Sequence, residues 1–300
     1  MMPPRRRDWF GISGFDPGEA RLRRGGFLYL LDSVGSTSDF LLSRGEAAEG
    51  RLCRWDGWGW QVGDRQVLPP PLEPRPGSVA VARRQTSGRG RLGHRWQDGG
   101  LAMSWLIDPL PAHQASRLAV WTGLTATLAL RDLCGAPVRL KWPNDLRLDG
   151  RKLGGIILDM VVQGPRSRLV AGIGVNTGAR TRDVPAGLRE IAVALTPDPP
   201  RWSHLSHLAG AVLRRWEDEL PRFLAEGWPA YRERYDEVDD LDGLDIRLQS
   251  GRETLRGTSL GIDDEGALRL RTADGAIRTL LAGDVHITGI SQPEGDHAAR

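Results

Sequence analysis

Asp149-Gly150 stands between two apolar runs, VRLKWPNDLRL (138–148) and RKLGGIILDMVV (151–162). A dipeptide of this kind accepts the left-handed backbone angles of a two-residue hairpin, whose twist matches the strands it joins. The pair predicts an antiparallel hairpin with KWPND (141–145) on one arm and RKLGG (151–155) on the other. Lys141 and Lys152 are the only lysines in the 300 residues, so the hairpin makes the two ammonium groups near neighbours.

The pattern around this hairpin is mixed. FLYLLDSV (27–34), GSVAVARRQ (77–85), LAMSWLI (101–107) and RLVAGIGVN (168–176) read as strands. GSTSDFLLSRGEA (35–47) reads as a short helix capped by Ser36 or Ser38. Residues 113–135 carry apolar side chains every three to four positions and stop at Gly135. A second long helix covers 203–235, with Pro221 and Pro229 expected to segment it. Residues 46–77, rich in tryptophan and then proline, read as a long loop or small hairpin inserted between elements. Residues 244–290 hold five short alternating strands separated by DDEG and ADG turns, the pattern of a small antiparallel barrel. The expected organisation is a flexible leader (1–25), a main domain (26–240), the barrel (241–290) and a disordered tail (291–300).

Bulk chemistry excludes several classes. The 41 Lys and Arg are offset by 38 Asp and Glu, a net charge of +3 that does not require a nucleic-acid partner. Cys53 and Cys134 form neither a CxxC pair nor a zinc spacing, which suits a reduced, cytoplasmic chain. The basic N-terminus lacks the apolar core of a secretory signal, and no apolar run is long enough to span a bilayer.

RRQTSGRGRLGHRW (83–96) places arginines on glycine-rich backbone. Glycines bring N–H groups close to a ligand, and guanidinium forks match carboxylate and phosphate oxygens. On its own the segment is equally a solvated loop, with RNA binding as a third reading. Lys152 beside Gly154-Gly155 suits an anion, against the alternative of a solvent-facing hairpin residue. GIGVN (172–176) is either a groove floor or a strand packed closely on another backbone.

The order STS (36–38), QTSGRGRLG (85–93), KWPND, RKLGGIILD (151–159) and GIGVN, with a small barrel behind it, resembles the biotin–protein ligase family. Those enzymes attach biotin to carboxylase carrier domains, and the likeness spans residues 27–290. It implies an α+β fold, a mixed sheet flanked by helices with an SH3-like C-terminal barrel. It implies two steps: biotin and ATP give biotinyl-AMP, then a carrier lysine takes the biotin. Ser36, Thr37, Ser38 and Gln85 match the family's biotin head-group positions. Arg89, Gly90 and Arg91 match the loop over biotin and phosphate, with Arg91 as anion clamp. Lys152 matches the lysine bridging the biotin carboxylate and α-phosphate. Gly155, Gly172 and Gly174 match close-approach positions, Trp96 and Asn176 adenylate positions, and Lys141 and Asn144 triphosphate neighbours. Asp145 is the candidate for steering the acceptor amine. Magnesium is implied with ATP, with no protein ligand named.

The chain departs from the family at Ser38, where many members have Asn, and in the loop, where Leu92 and His94 replace charges of GRGRRGR. Some members carry a DNA-binding N-terminal module; residues 1–25 are too short for one, so DNA is not an expected partner. The expected partner is a biotin carboxyl carrier domain, with no membrane, and monomer and homodimer both stay open. The rival enzymatic reading is a lipoate-type ligase on the same fold, against which GRGR and KWPND argue. A non-catalytic biotin binder is countered by the presence of Lys152 and Arg91.

Overall fold

The computed structural model describes residues 9–18, 22, 25–73, 75–90, 95–96, 100–107, 115–163, 166–177, 195 and 203–290. A mixed sheet dominates. Its strands are β1 (Leu28–Ser33), β2 (Ala48–Trp55), β3 (Trp60–Val62), β4 (Gln66–Leu68), β5 (Val79–Ala82), β6 (Gly100–Ile107), β7 (Arg139–Lys141), β8 (Asp145–Leu148), β9 (Arg151–Gln163) and β10 (Arg166–Asn176). They run in the order β3-β2-β1-β5-β6-β10-β9-β8-β7, with β4 also on β2. β1 and β5 pair in parallel, and the other ladders are antiparallel.

Alternation decides what each face touches. On β1, Leu28 and Leu30 join the main core, while Tyr29 and Leu31 join a second cluster on the opposite face. α2 (Ala115–Cys134) and α3 (Ser203–Glu226) cover the first face. The short α1 (Thr37–Leu41) covers the second through Phe40 and Leu41. Central strands buried on both sides read as nearly continuous apolar runs, which is why VAVA and LAMSWLI show no polar face. Gly135, at φ 63°, ends α2 as expected. Among the described residues no helix is long and apolar enough to cross a membrane.

Two expectations change and a third narrows. Within the described part of the leader, Phe10, Ile12, Phe15 and Leu22 are buried in the core, and Asp16 pairs with Arg214 on α3. That stretch is packed structure, held by aromatic anchors that a count of Arg and Gly overlooks. Of the two readings of residues 46–77 the structure gives the hairpin and not the long loop: β2 turns back into β3, β4 also pairs with β2, and β2 joins the main sheet through β1. Pro221 lies inside α3 instead of breaking it. The helix stops at Gly227, φ 72°, whose N–H bonds back to the Phe223 carbonyl at 2.9 Å. Pro229 then starts a 3₁₀ turn (Trp228–Tyr231), followed by α4 (Arg232–Asp236).

The remaining strands, β11 (Leu244–Ser250), β12 (Glu253–Ile262), β13 (Leu268–Thr272), β14 (Ile277–Leu280) and β15 (Asp284–Ile290), form an antiparallel sheet ordered β14-β13-β12-β11-β15. Its Ile246, Leu248, Ile262, Leu268, Leu270 and Val285 join the main core cluster, and polar contacts add to the docking. Trp142 Nε1 donates to the Gly266 carbonyl at 3.0 Å, and Arg232 reaches Asp264 at 2.8 Å. The linker lies along β7, with Leu140 and Val238 bonded at 2.8 Å and Arg147 on Asp240 at 2.6 Å. The expected tail, 291–300, lies outside the described residues.

A candidate ligand site on the glycine strands

The site begins at α1. Ser36 caps it, its hydroxyl accepting from the Asp39 N–H. The next two hydroxyls turn inward. Gln85, at the end of the segment after β5, accepts on Oε1 from the Thr37 N–H at 2.8 Å and the Thr37 hydroxyl at 3.1 Å. Thr37 Oγ1 is 2.7 Å from Ser104 Oγ, which is 2.9 Å from Ser38 Oγ. Each hydroxyl has one proton. If Thr37 gives its own to Gln85, Ser104 donates to Thr37 and Ser38 donates to Ser104. The cluster then presents hydroxyl oxygens as acceptors, suited to N–H groups of a ligand.

Ser104 was not among the residues singled out from sequence. It sits mid-way along an apolar strand and is fully buried; a lone serine in LAMSWLI was its only signal. Ser104→Ala leaves the Thr37 and Ser38 hydroxyls short of a partner in a buried site. The expected cost is about 1–3 kcal/mol, measurable by urea unfolding.

Two glycines of β10 make room on the same face. A Cβ at Gly172 would come within 2.8 Å of Ser38 Oγ, and one at Gly174 within 2.5 Å of the Trp96 ring. Trp96 therefore lies flat against strand backbone that no side chain obstructs. Gly172, Gly174 and Asn176 alternate onto one face over about 13 Å. Gly174→Ala is expected to force the Trp96 indole out of its place at a cost of about 1–3 kcal/mol, read by urea unfolding.

The far end carries the charge. Asp149 and Gly150 both have positive φ, 51° and 70°, and close the β8–β9 hairpin. Lys141 faces Asp145 across the β7–β8 ladder. Lys152 Nζ lies 2.5 Å from Asp145 Oδ1, and its side chain passes over Gly155, which pairs with Gly174. The ammonium thus reaches the glycine face. Burial pushes the Lys141 ammonium below its usual pKa, while Asp145 and the C-terminal sheet's Asp284 oppose the shift. A desolvated cation is a strong partner for an anion. Asn144 is occupied structurally: its Nδ2 donates to the Ile156 carbonyl at 2.6 Å, and its carbonyl accepts from Ile156 N at 2.9 Å. Asn176 Nδ2 sits 3.5 Å from the Lys152 carbonyl.

The Gly/Arg loop closes at its base, where Trp96 N–H donates to the Gly88 carbonyl at 2.9 Å and Arg89 bridges Arg95. Gly90 follows in the described chain; Arg91, Leu92, Gly93 and His94 lie outside the described residues. Arg89 points to carboxylates, Asp39 at 2.9 Å and Asp159 at 2.7 Å. The structure thus gathers Thr37, Ser38, Gln85 and Gly172 at one end. Lys141, Asn144, Asp145, Lys152 and Gly155 meet at the other, with Trp96 on Gly174 between them.

Comparison with known proteins gives consistent findings. Residues 70–176 match the biotin/lipoate A/B protein ligase family, and residues 245–287 match the biotin protein ligase C-terminal domain. A biotin--[acetyl-CoA-carboxylase] ligase of Paracoccus denitrificans is 32% identical over 210 residues, covering 64% of this chain and 82% of that protein. The bifunctional ligase/repressor BirA of Bacillus subtilis is 28% identical over 216 residues, covering 70% of this chain and 66% of that protein, just under two thirds of its length. The biotin protein ligase of Aquifex aeolicus, solved in complex with biotin and ATP, superposes with a TM-score of 0.66 at 25% identity. It covers 87% of this chain and 98% of its own.

Proposed function

Since the chain belongs to the biotin protein ligase family, we propose that it activates biotin with ATP and transfers it to a lysine of a biotin carboxyl carrier domain. The carrying observation is one glycine-floored face with hydroxyl acceptors at one end and paired lysines at the other. Biotin has that polarity: ureido N–H groups at one end and a carboxylate at the other.

In the first step a biotin carboxylate oxygen attacks the α-phosphorus, the bond to the bridging oxygen breaks, and pyrophosphate leaves with its electron pair. The obstacle is repulsion between anions. Lys152 sits between carboxylate and α-phosphate and offsets the charge that gathers there; fixed charge of this kind typically contributes 100-fold or more. Lys141 supports the polyphosphate, Arg91 clamps the phosphate from the loop, and Trp96 offers its free face to the adenine. In the second step a neutral lysine amine attacks the acyl carbon, the acyl C–O bond breaks, AMP departs with the electron pair and the nitrogen gives up one proton to solvent, with Asp145 beside the reaction to orient the amine. Asn176, whose Nδ2 lies 3.5 Å from the Lys152 carbonyl, is assigned to the adenylate. We assign magnesium to the phosphates and water: among the described residues no group of three or more His, Cys, Asp or Glu could hold a metal. The five C-terminal strands are read as the family's SH3-like barrel.

Biotin-dependent exchange of labelled pyrophosphate into ATP tests this reading. Exchange with biotin and none with lipoate is expected; exchange driven by lipoate alone would move the chain to the rival ligase class.

A further inference from the structure

Arg89 invites a different role from the one its motif implies, and the inference rests on the ligase reading above. Its guanidinium donates to Asp159 on β9 at 2.7 and 3.4 Å and to Asp39 on α1 at 2.9 Å. Asp39 also meets Arg44 at 3.2 Å, so two arginines and two carboxylates balance locally. The three segments tied together are the ones that build the site. α1 carries the Thr37 and Ser38 hydroxyls immediately before Asp39. β9 carries Lys152 and Gly155. Arg89 stands at the base of the glycine loop.

A guanidinium fork can hold two carboxylates in fixed directions, which a single ammonium cannot. A fork so occupied is poorly available to a third anion, because an incoming carboxylate must displace a resident one. We infer that Arg89 is a positioning residue, a latch fastening the loop base to α1 and β9. Asp39 and Asp159 are its two catches, and the negative charge of the substrates is left to the lysines and to Arg91.

The two roles predict opposite signs for the carboxylate variants. If Arg89 bound the substrate anion directly, removing a competing carboxylate would free it. Asp159→Asn or Asp39→Asn would then bind biotin at least as tightly as wild type. With a latch, those changes loosen the loop as losing the arginine does. Biotin affinity of the full chain is measured by calorimetry for wild type, Arg89→Gln, Arg89→Lys, Asp39→Asn, Asp159→Asn and the Arg89→Gln/Asp159→Asn double variant.

Each single variant is expected to weaken binding by about tenfold. Arg89→Lys should behave as Arg89→Gln because it keeps charge without the fork. The double variant should be no weaker than Arg89→Gln alone. The loss should fall more heavily on the biotin KM than on kcat for pyrophosphate exchange. Thermal unfolding of each variant above the assay temperature separates this from global destabilisation, and Asp39→Asn carries the same test if Asp159→Asn fails to fold. Carboxylate variants that bind as tightly as wild type, beside a weakened Arg89→Gln, overturn the latch. A wild-type chain that binds no biotin overturns the ligase reading instead.

Discussion

Replacing Lys152 with alanine is expected to slow biotinyl-AMP formation at least about 100-fold while the fold survives. The side chain is half exposed, and its ion pair with Asp145 is of a kind that contributes about 0–1 kcal/mol to stability. Its position over Gly155 brings the ammonium to the face where the carboxylate and α-phosphate would meet. Stability and activity therefore separate at this residue. Lys152→Arg is expected to restore little, because a planar fork does not replace a compact charge on a flexible stem. Single-turnover adenylate formation, with the melting temperature recorded alongside, checks the prediction. Adenylate made at the normal rate by the alanine variant would remove Lys152 from the reaction.

The second large effect concerns stability and pH. Asp239 is buried where the linker meets β7, and burial lifts its carboxyl to about 7 despite the bond that Oδ1 accepts from Leu241 N–H. Asp236, Asp240 and Asp242 push in the same direction. Its Oδ2 is among the buried polar atoms lacking a hydrogen-bond partner, as is the nearby Tyr235 hydroxyl. An unfolded aspartate titrates near 3.9, so between that value and about 7 the folded chain holds a proton the unfolded chain has released. Rising pH then favours unfolding. The stabilisation is complete below the unfolded pKa and is lost as pH rises through the folded one.

Integrated over that window, the effect is on the order of 4 kcal/mol. Asp239→Asn keeps the shape, removes the titration, and should be the more stable form at pH 8. Urea unfolding of both proteins from pH 4.5 to 8.5 should show their difference growing up to about pH 7 and levelling off above it. A difference independent of pH would mean that Asp239 is not the group that titrates.

Legibility in the sequence followed physical scale. Asp149-Gly150 fixed its hairpin because two positive-φ residues leave few other turns. The five C-terminal strands were legible because alternation and tight turns are local signals. For residues 46–77 the sequence leaves loop and hairpin open, because β2 is stabilised by pairing with β1, which no local window contains. The packed leader was missed for the same reason: Phe10 and Phe15 are anchored by partners far along the chain.

At the site, Thr37, Gln85 and Lys152 are legible through motifs; the structure sets Thr37 on Gln85 and Lys152 on Asp145. Ser104 was hidden because its role comes from register, which sets it between two hydroxyls 66 and 67 positions away. Arg89 was placed in the right loop, but the carboxylates that hold it lie 50 and 70 positions away.

The most direct measurement is peptide mapping of a biotin carboxyl carrier domain incubated with this chain, ATP and biotin. One lysine of the carrier should acquire biotin, only when ATP is present and not with the Lys152→Ala enzyme. A carrier left unmodified by the wild-type chain under those conditions, or modified equally by the alanine variant, would contradict the account.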